Sequence, residues 1–195
     1  MFFIHFAFPF GPFFLVSRSV QRPVQDPGTA GLLGSGASSC TRPYYTVVAD
    51  NLHVHPTMLK MAHSAHPGGA VLVTGATAAM GLEPGTHQLG DAVVRVLDDR
   101  VLLNGANILA GNVAPMDVCV RNYRDAVGST AAALNACTLH PARALGIADK
   151  KGTLNEGADA DFVLLDDDLQ VKATYLRGEL VWVTPAAGGK GAAQK

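Results

Sequence analysis

Short apolar runs alternate with helical apolar stripes from Tyr44 onward, and this alternation predicts the first part of the fold. Residues 45–49 (YTVVA) and 70–74 (AVLVT) have the length and the β-branched content of buried strands. Between them, Pro56 is suited to the first turn of a helix, and an apolar stripe follows at helical spacing. The residues of this stripe are Met58, Met61, Ala62 and Ala65. A strand–helix–strand unit with two parallel strands is therefore predicted.

The second half of the chain has the pattern of a hairpin, three helices and three more strands. Residues 93–97 and 101–103 are flanked by turn-forming residues and predict a hairpin-like excursion. Gly128 is placed to end one helix, Ser129 to cap the next, and His140 to begin a short third one. The strands predicted near the end of the chain are residues 160–165, 171–176 and 179–183.

The two ends of the chain differ in composition from the rest. Residues 1–16 (MFFIHFAFPFGPFFLV) contain most of the phenylalanines, and residues 17–43 are rich in Gly, Ser, Pro and Arg. The apolar run has no basic start, is interrupted by Pro9 and Pro12, and is shorter than the roughly 20 residues of a membrane span. We therefore expect residues 1–43 to lack a fold of their own, with a signal or anchor as the alternative, and residues 185–195 to be disordered.

Charge and cysteine content exclude several classes of function. The net charge of −1 and the absence of a basic run argue against nucleic acid and anionic membranes as partners. The three cysteines, Cys40, Cys119 and Cys137, show no paired spacing, so neither a disulfide framework nor a CxxC zinc site is predicted. Cys119 and Cys137 lie in apolar helical patterns and are interpreted as core residues, which fits a reducing, cytoplasmic compartment.

The first candidate site follows the strand at residues 45–49 directly and consists of Asp50, Asn51, Leu52, His53 and His55. Ligands of parallel α/β folds gather at the carboxyl ends of the strands. A histidine there can donate a hydrogen bond, act as a base or bind a metal. His53 and His55 are two positions apart, so on an extended segment both would point to one face. A polar loop without a ligand is the alternative interpretation.

Two further segments lie where ligands could bind, but each has an ordinary explanation. The strand at residues 70–74 runs into a small-residue loop, residues 75–81, and no Asp or Glu occurs between Asp50 and Glu83. On this sequence alone a plain turn is favoured. Residues 107–117 lead from a loop into a helix, where backbone amides could hold a polar or anionic group. Ordinary helix initiation explains that segment equally well.

The remaining histidines and the tryptophan are interpreted as structural. His63, His66 and His87 are expected at the surface. His140 precedes a proline at a helix start, so a local structural role is favoured over catalysis. Trp182 lies in the last predicted strand and is expected to anchor packing.

Five segments of the chain resemble the N-acetylglucosamine-6-phosphate deacetylases, an amidohydrolase family. They are residues 49–56 (ADNLHVHP), 65–76 (AHPGGAVLVTGA), 109–122 (LAGNVAPMDVCVRN), 139–147 (LHPARALGI) and 151–182 (KGTLNEGADADFVLLDDDLQVKATYLRGELVW). The last of these motifs is shared widely among amidohydrolases, whereas the middle ones are more specific to the deacetylases. The match that contains them runs from about Tyr44 to Trp182, about 70% of the 195 residues.

The resemblance implies an incomplete (β/α)8 barrel of the TIM type. Residues 44–150 would contain its last strands, and residues 151–184 would contribute the C-terminal strands of a small β-sandwich domain. Because a cut barrel leaves sheet edges and apolar surface uncovered, marginal stability is expected. The implied activity is hydrolysis of the acetamide of N-acetylglucosamine 6-phosphate in amino-sugar catabolism. The resemblance also implies a divalent metal, with zinc as the first choice, and a cytoplasmic homodimer.

The resemblance also assigns substrate-binding positions. His53 matches the histidine of a D-G-x-H motif that contacts substrate, with Asn51 in place of the glycine. A Leu-Ser-Gly loop of the family corresponds to Leu109, Ala110 and Gly111, so its hydroxyl is lost. The positions implied to bind substrate are Asp50, Asn51, Leu52, His53, Leu109, Ala110 and Gly111.

The departures from the family concern the chemistry itself. The family reads Leu-Val-Thr-Asp-Ala where this chain reads LVTGA, so Gly75 stands at the position of the acid/base aspartate. The metal ligands of the family, one Glu and two His, come from earlier strands. Residues 1–43 contain only His5 and no Glu, so those ligands have no counterpart. We therefore expect a truncated, inactive chain, and the alternative is a non-catalytic protein that retains sugar-phosphate or partner binding.

Overall fold

The computed structural model describes residues 43–185. This part of the chain contains four helices and nine strands, and the strands form three sheets. In chain order they are β1 (Tyr45–Val48), α1 (Pro56–Ala65), β2 (Ala70–Val73), β3 (Gly85–Leu89), β4 (Ala92–Val96), β5 (Arg100–Leu103), β6 (Leu109–Asn112), α2 (Met116–Val127), α3 (Thr130–Cys137), α4 (Leu139–Leu145), β7 (Phe162–Leu165), β8 (Val171–Leu176) and β9 (Glu179–Val183). The predictions for residues 1–42 and 186–195 lie outside the described residues.

The predicted strand–helix–strand unit is confirmed. β1 and β2 lie parallel with Tyr45 opposite Ala70, and α1 connects them. α1 begins at Pro56, where the fixed φ of proline suits the first turn. His55 caps this helix, because its Nδ1 accepts a hydrogen bond from the backbone amide of Thr57 at 3.2 Å. The carboxyl ends of β1 and β2 therefore lie side by side.

The buried side of α1 differs from the predicted stripe. Leu59 is fully buried, whereas Met58 and Met61 expose 54% and 58% of their surface. Ala62 and His63, one turn beyond Leu59, are half-buried, and the helix packs against α2. The prediction was wrong because the apolar residues of α1 fit two overlapping helix faces. The sequence favoured the face with Met58 and Met61, whereas the tertiary packing buries the face with Leu59.

The residues between β2 and α2 form a four-stranded antiparallel sheet in the order β3-β4-β5-β6. The predicted hairpin is confirmed as β4 and β5, but β3 and β6 were not predicted. Residues 109–112 were expected in a loop, and they are a strand instead. An isolated parallel bridge joins Ala76, in the loop after β2, to Asn112 at the end of β6. This bridge connects the antiparallel sheet to the carboxyl end of the parallel pair.

The end of α2 and the start of α3 lie where the sequence predicted them. α2 ends at Gly128, which adopts a left-handed φ of 74°. Ser129 caps α3 through a 3.2 Å hydrogen bond that its Oγ accepts from the amide of Ala132. Cys119 and Cys137 are buried in the main core, as predicted. None of the helices within residues 43–185 has the length and apolar character that crossing a membrane requires.

The three predicted tail strands are confirmed as the antiparallel sheet β7-β8-β9. Phe162 on β7 stacks on Tyr175 on β8, with ring centroids 4.5 Å apart. Trp182 was expected to anchor packing, and this prediction was wrong, since it is 44% exposed. The reason is its place on β9, which lies at the edge of this sheet within the described chain and is exposed along its whole length.

Candidate functional site

Three segments converge at the carboxyl end of the parallel pair. Asp50 lies two residues beyond β1, Thr74 directly follows β2, and Asn112 is the last residue of β6. The side-chain Nδ2 of Asn112 donates hydrogen bonds to Oδ2 of Asp50 at 2.5 Å and to the carbonyl of Thr74 at 3.0 Å. Residues that are far apart in the sequence thus form one polar cluster, at the sheet edge where ligands of parallel folds bind.

The Asp50 carboxylate is the centre of this cluster. Its side chain has no exposed surface. Oδ1 accepts hydrogen bonds from the backbone amides of Leu52 at 3.0 Å and His53 at 2.9 Å. The bend that makes this possible passes through Asn51, whose φ is 61°. Burial raises the pKa of Asp50, but the accepted hydrogen bonds together outweigh it and hold the pKa below the ordinary value. Asp50 is therefore a buried anion.

The His53 ring is oriented by this anion. Its Nδ1 lies 2.6 Å from Oδ2 of Asp50, and its side chain is 36% exposed. A carboxylate beside Nδ1 favours the tautomer that carries the proton there. Nε2 is then the ring nitrogen available to a ligand. The pair therefore has the arrangement of an oriented hydrogen-bonding or basic group at the end of β1.

His55 does not join His53. Residues 51–54 form a series of bends instead of an extended segment, so the expectation that both rings point to one face was wrong. The ring of His55 turns back to cap α1 through the amide of Thr57. Its observed role is structural, whereas His53 contacts Asp50.

Gly75 lies next to the polar cluster. A Cβ placed on Gly75 would be 3.7 Å from Nδ2 of Asn112 and 3.2 Å from Cγ2 of Val48. Its φ of +62° is left-handed, a region that Asp and Asn tolerate better than most residues do. A carboxylate at this position would therefore extend beside the Asp50–Asn112 pair, and glycine leaves that place without a proton-transfer group.

The predicted substrate loop, Leu109, Ala110 and Gly111, belongs to strand β6. Glycine is favoured at position 111, because its φ of +148° is one that L side chains rarely adopt and a Cβ would overlap the side-chain methyl group of Thr77. The residue that reaches Asp50 is the next one, Asn112, which was not singled out from the sequence. The available signal was a lone carboxamide in a stretch of small and apolar residues just before α2.

The other histidines are more buried than predicted. His63, His66 and His87 are half-buried, and Nδ1 of His63 lies 3.2 Å from the Tyr123 hydroxyl. His140 is buried, with its Nδ1 2.8 Å from the carbonyl of Ala70, which agrees with a structural role. The first three were placed at the surface because sequence alone gave them no partners.

The metal donors within the described residues do not form a site. Between residues 43 and 185 no group of three or more His, Cys, Asp or Glu side chains is arranged to hold an ion. Asp50 and His53 are close to each other, but they are hydrogen-bonded to one another and lack a third donor. A protein site for a catalytic zinc usually supplies three ligands. These donors therefore do not fit such an ion.

Comparisons with known proteins agree with the architecture of the described residues. The amidohydrolase family matches over residues 30–181. The N-acetylglucosamine-6-phosphate deacetylase of Danio rerio is 50% identical over 160 residues, which are 81% of this chain and 40% of that protein. The solved structure of the Thermotoga maritima N-acetylglucosamine-6-phosphate deacetylase is similar with a TM-score of 0.67 at 33% identity, covering 75% of this chain and 40% of that one.

A second solved structure is that of a Mycobacterium smegmatis N-acetyl-D-glucosamine-6-phosphate deacetylase mutant in complex with N-acetyl-D-glucosamine-6-phosphate. It is similar with a TM-score of 0.66 at 32% identity, covering 73% of this chain and 38% of that one. The chain thus spans about 40% of the length of each of these three proteins.

Proposed function

The chain belongs to the N-acetylglucosamine-6-phosphate deacetylases of the amidohydrolase family, and we therefore propose that it carries the sugar-binding part of a deacetylase active site but lacks the proton-transfer group of that site. The reaction of the whole site would be hydrolysis of the acetamide of N-acetylglucosamine 6-phosphate to glucosamine 6-phosphate and acetate. The substrate in the Mycobacterium smegmatis structure supports this substrate class. Residues 44–150 would supply the last strands of a TIM-type barrel, and residues 151–184 strands of a small domain.

The Asp50–His53 pair supports the binding role. A buried anion holds an exposed ring at the carboxyl end of β1, so that Nε2 can meet a hydroxyl or carbonyl group of the sugar. A ring that is already oriented loses little freedom when a ligand binds. Asn51 and Leu52 lie in the same bend, and residues 109–111 approach the site along β6.

The proposed lack of turnover rests on one observation, which is that position 75 has no proton-transfer group. Amide hydrolysis needs a group that takes a proton from the attacking water and delivers it to the leaving amine. Gly75 occupies the strand end beside Asn112, where such a carboxyl would stand, and it has no side chain. Losing general acid–base catalysis costs a factor of roughly 10² to 10⁴ in rate.

The family implies a divalent metal, which would polarise the amide carbonyl and activate water when bound. The donors within residues 43–185 do not fit such an ion. In this proposal no step of the reaction is therefore assigned to a metal held by these residues, and their part is to bind and orient the sugar.

Binding without hydrolysis is the second candidate function. The specific observation in its favour is the coexistence of a complete Asp50–His53 pair with Gly75. A sugar phosphate, or a partner that presents similar groups, would then be held by His53 and released unchanged. The two candidates differ in what a restored carboxyl at position 75 would do.

The test measures acetate release from N-acetylglucosamine 6-phosphate with added Zn²⁺, using the whole chain, Gly75→Asp and the matched Gly75→Asn. We expect no turnover from the unmodified chain or from Gly75→Asn. Turnover by Gly75→Asp alone favours the deacetylase remnant, and it would require metal donors other than those within residues 43–185. Binding without any turnover favours the second candidate. An enzyme-like rate from the unmodified chain would contradict the proposed inactivity.

Binding is measured in parallel by calorimetry with the same sugar phosphate. We expect His53→Ala to abolish binding. His87→Ala, on β3, is the matched control and should bind as the unmodified chain does. If the unmodified chain does not bind the sugar phosphate, the binding role of His53 is wrong.

A further inference from the structure

We propose that Asn112 is a positioning residue of this site, whose carboxamide fixes the Asp50 carboxylate and thereby the direction of the His53 ring. The inference rests on the proposed binding role of His53 and adds the residue that controls it. Asn112 itself is fully buried, so it would act through Asp50 and not on the sugar.

Every polar atom of the Asn112 side chain has a partner. Nδ2 donates to Oδ2 of Asp50 at 2.5 Å and to the carbonyl of Thr74 at 3.0 Å, and Oδ1 accepts from the amide of Ala114 at 3.1 Å. A carboxamide has two such donor hydrogens, and both are used. The opposite orientation would turn an oxygen toward two other oxygens, so the partners dictate the side-chain direction.

The backbone of Asn112 fastens the loop that contains Gly75. Its carbonyl accepts hydrogen bonds from the amide of Thr77 at 3.0 Å and from the Thr77 hydroxyl at 3.3 Å. The side chain holds Thr74 on the other side of Gly75. One residue therefore sets both the loop at position 75 and the carboxylate of Asp50.

Oδ2 of Asp50 is shared by two donors, Nδ1 of His53 and Nδ2 of Asn112. Two hydrogen-bond partners fix the position of Oδ2 more closely than one partner does. The His53 ring is oriented by its hydrogen bond to this oxygen. Without the amide, Oδ2 would keep only the imidazole, and a buried anion would lose a donor that stabilises its charge. Both effects would loosen the orientation of His53.

A purely structural role for Asn112 is the alternative, and Asn122 on α2 provides the matched control. Nδ2 of Asn122 donates to the carbonyl of Ala49 at 2.8 Å, directly before Asp50 in the chain. It therefore ties the same segment to a neighbouring element without contacting the carboxylate. Removal of either amide should lower the melting temperature, but only removal of the Asn112 amide should change the pKa of Asp50.

The experiment is a ¹³C NMR titration of the Asp50 carboxyl in the whole chain, with ¹⁵N shifts of the His53 ring as the tautomer readout. We expect Asn112→Ala to raise the Asp50 pKa, because a hydrogen bond that lowers it is lost, and to mix the two ring tautomers. Asn122→Ala should leave both signals unchanged. Asn112→Asp keeps the shape but puts a second carboxyl against Oδ2, so one of the two should titrate well above the ordinary range of an aspartate.

Three results would overturn the proposal. The first is an unchanged Asp50 titration in both Asn112 variants, and the second is an equal shift in Asn122→Ala. The third is loss of folding in both Asn112 variants by circular dichroism, which would assign to this residue a role in the fold alone.

Sugar-phosphate binding separates this inference from the proposed function. We expect Asn112→Ala to weaken binding of N-acetylglucosamine 6-phosphate about tenfold, by analogy with the outer hydrogen-bond partners that orient metal-binding histidines. Asn122→Ala should bind normally. If the unmodified chain does not bind, the proposed function fails. The NMR titration still decides the role of Asn112 in that case.

Discussion

The ring nitrogen Nδ1 of His140 lies 2.8 Å from the carbonyl oxygen of Ala70, so a buried hydrogen bond joins α4 to β2. Burial lowers the pKa of His140, and the nearby charge of Arg143 and the rings of His66 and His63 lower it further, while the bond to Ala70 partly opposes them. The ring is therefore held neutral in the folded protein near pH 7.

This contact predicts acid sensitivity. Because the pKa of His140 is depressed on folding, the unfolded chain binds the proton more readily, and stability is lost as the pH falls below the ordinary value of 6.5. We expect the melting temperature to decrease between about pH 7 and 5. Asp50 acts in a separate window: its depressed pKa contributes stability that is lost only below about its ordinary 3.8.

Differential scanning calorimetry across this pH range checks the prediction with two variants. His140→Gln cannot titrate, so it should lose the decrease between pH 7 and 5 even if it is less stable at every pH. His87→Gln is the control, since the half-buried His87 lies on β3 and its Nε2 is 2.8 Å from the carbonyl of Glu83, away from the contact between α4 and β2. An unchanged slope in His140→Gln would show that another group controls acid stability.

The two buried thiols should be unreactive in the folded protein. Burial, and next the charge of Asp50, raise the pKa of Cys119 to about 12, and burial raises that of Cys137 well above its ordinary value. Because only the thiolate attacks alkylating reagents, both residues should stay unmodified by iodoacetamide at pH 8. Mass spectrometry of the peptides checks this, and the urea-unfolded chain is the control in which both should react. Rapid labelling of the folded chain would contradict the described packing.

Local signals allowed much of the fold to be predicted from the sequence. β1, α1 and β2 are each specified within a few residues, by β-branched runs and by Pro56 at the helix start. Gly128 and Ser129 likewise fix the boundary between α2 and α3 through a left-handed turn and a side-chain cap. These features depend on neighbours in the sequence, so periodicity and capping chemistry are sufficient to predict them.

Contacts between distant segments could not be predicted in the same way. Asn112 meets Asp50 across 62 positions of sequence, and nothing local to either residue indicates the other. β6 was missed for the same reason, because Leu109–Asn112 is a strand only through its pairing with β5. The half of the candidate site that follows β1 was therefore predicted, and the half at the end of β6 was found from the structure.

The edge strand β9 predicts self-association. Leu180, Val181, Trp182 and Val183 are all more than 40% exposed, and an apolar edge strand is a template for pairing with another chain. We expect the oligomer population to grow with concentration in size-exclusion chromatography with light scattering. Val181→Lys should reduce it, whereas Thr86→Lys on the polar edge strand β3 should not. A monodisperse monomer with a sharp, high melting transition would contradict both this prediction and the expected marginal stability.

The last prediction concerns the space at Gly75. Gly75 and Gly81 both have left-handed φ values, +62° and +89°, so an alanine at either position carries a backbone cost of about 1–2 kcal/mol. A Cβ on Gly75 would also lie 3.2 Å from Cγ2 of Val48, whereas a Cβ on Gly81 would meet nothing within 4 Å. At Gly75 this close contact overpacks the site and adds about 1 kcal/mol or more to the cost of the alanine. Gly75→Ala should therefore destabilise the chain by about 1 kcal/mol more than Gly81→Ala.

Urea unfolding of a double-mutant cycle decides whether Val48 causes this difference. Val48→Ala alone removes apolar packing at the end of β1 and should be destabilising. Combined with Gly75→Ala it should cost less than the sum of the two changes, because the smaller side chain leaves room for the new Cβ. Strict additivity would mean that the loop at residues 74–77 shifts away from β1. In that case the hydrogen bonds from Asn112 would not hold this loop, which would also count against a fixed position for a restored carboxyl at residue 75.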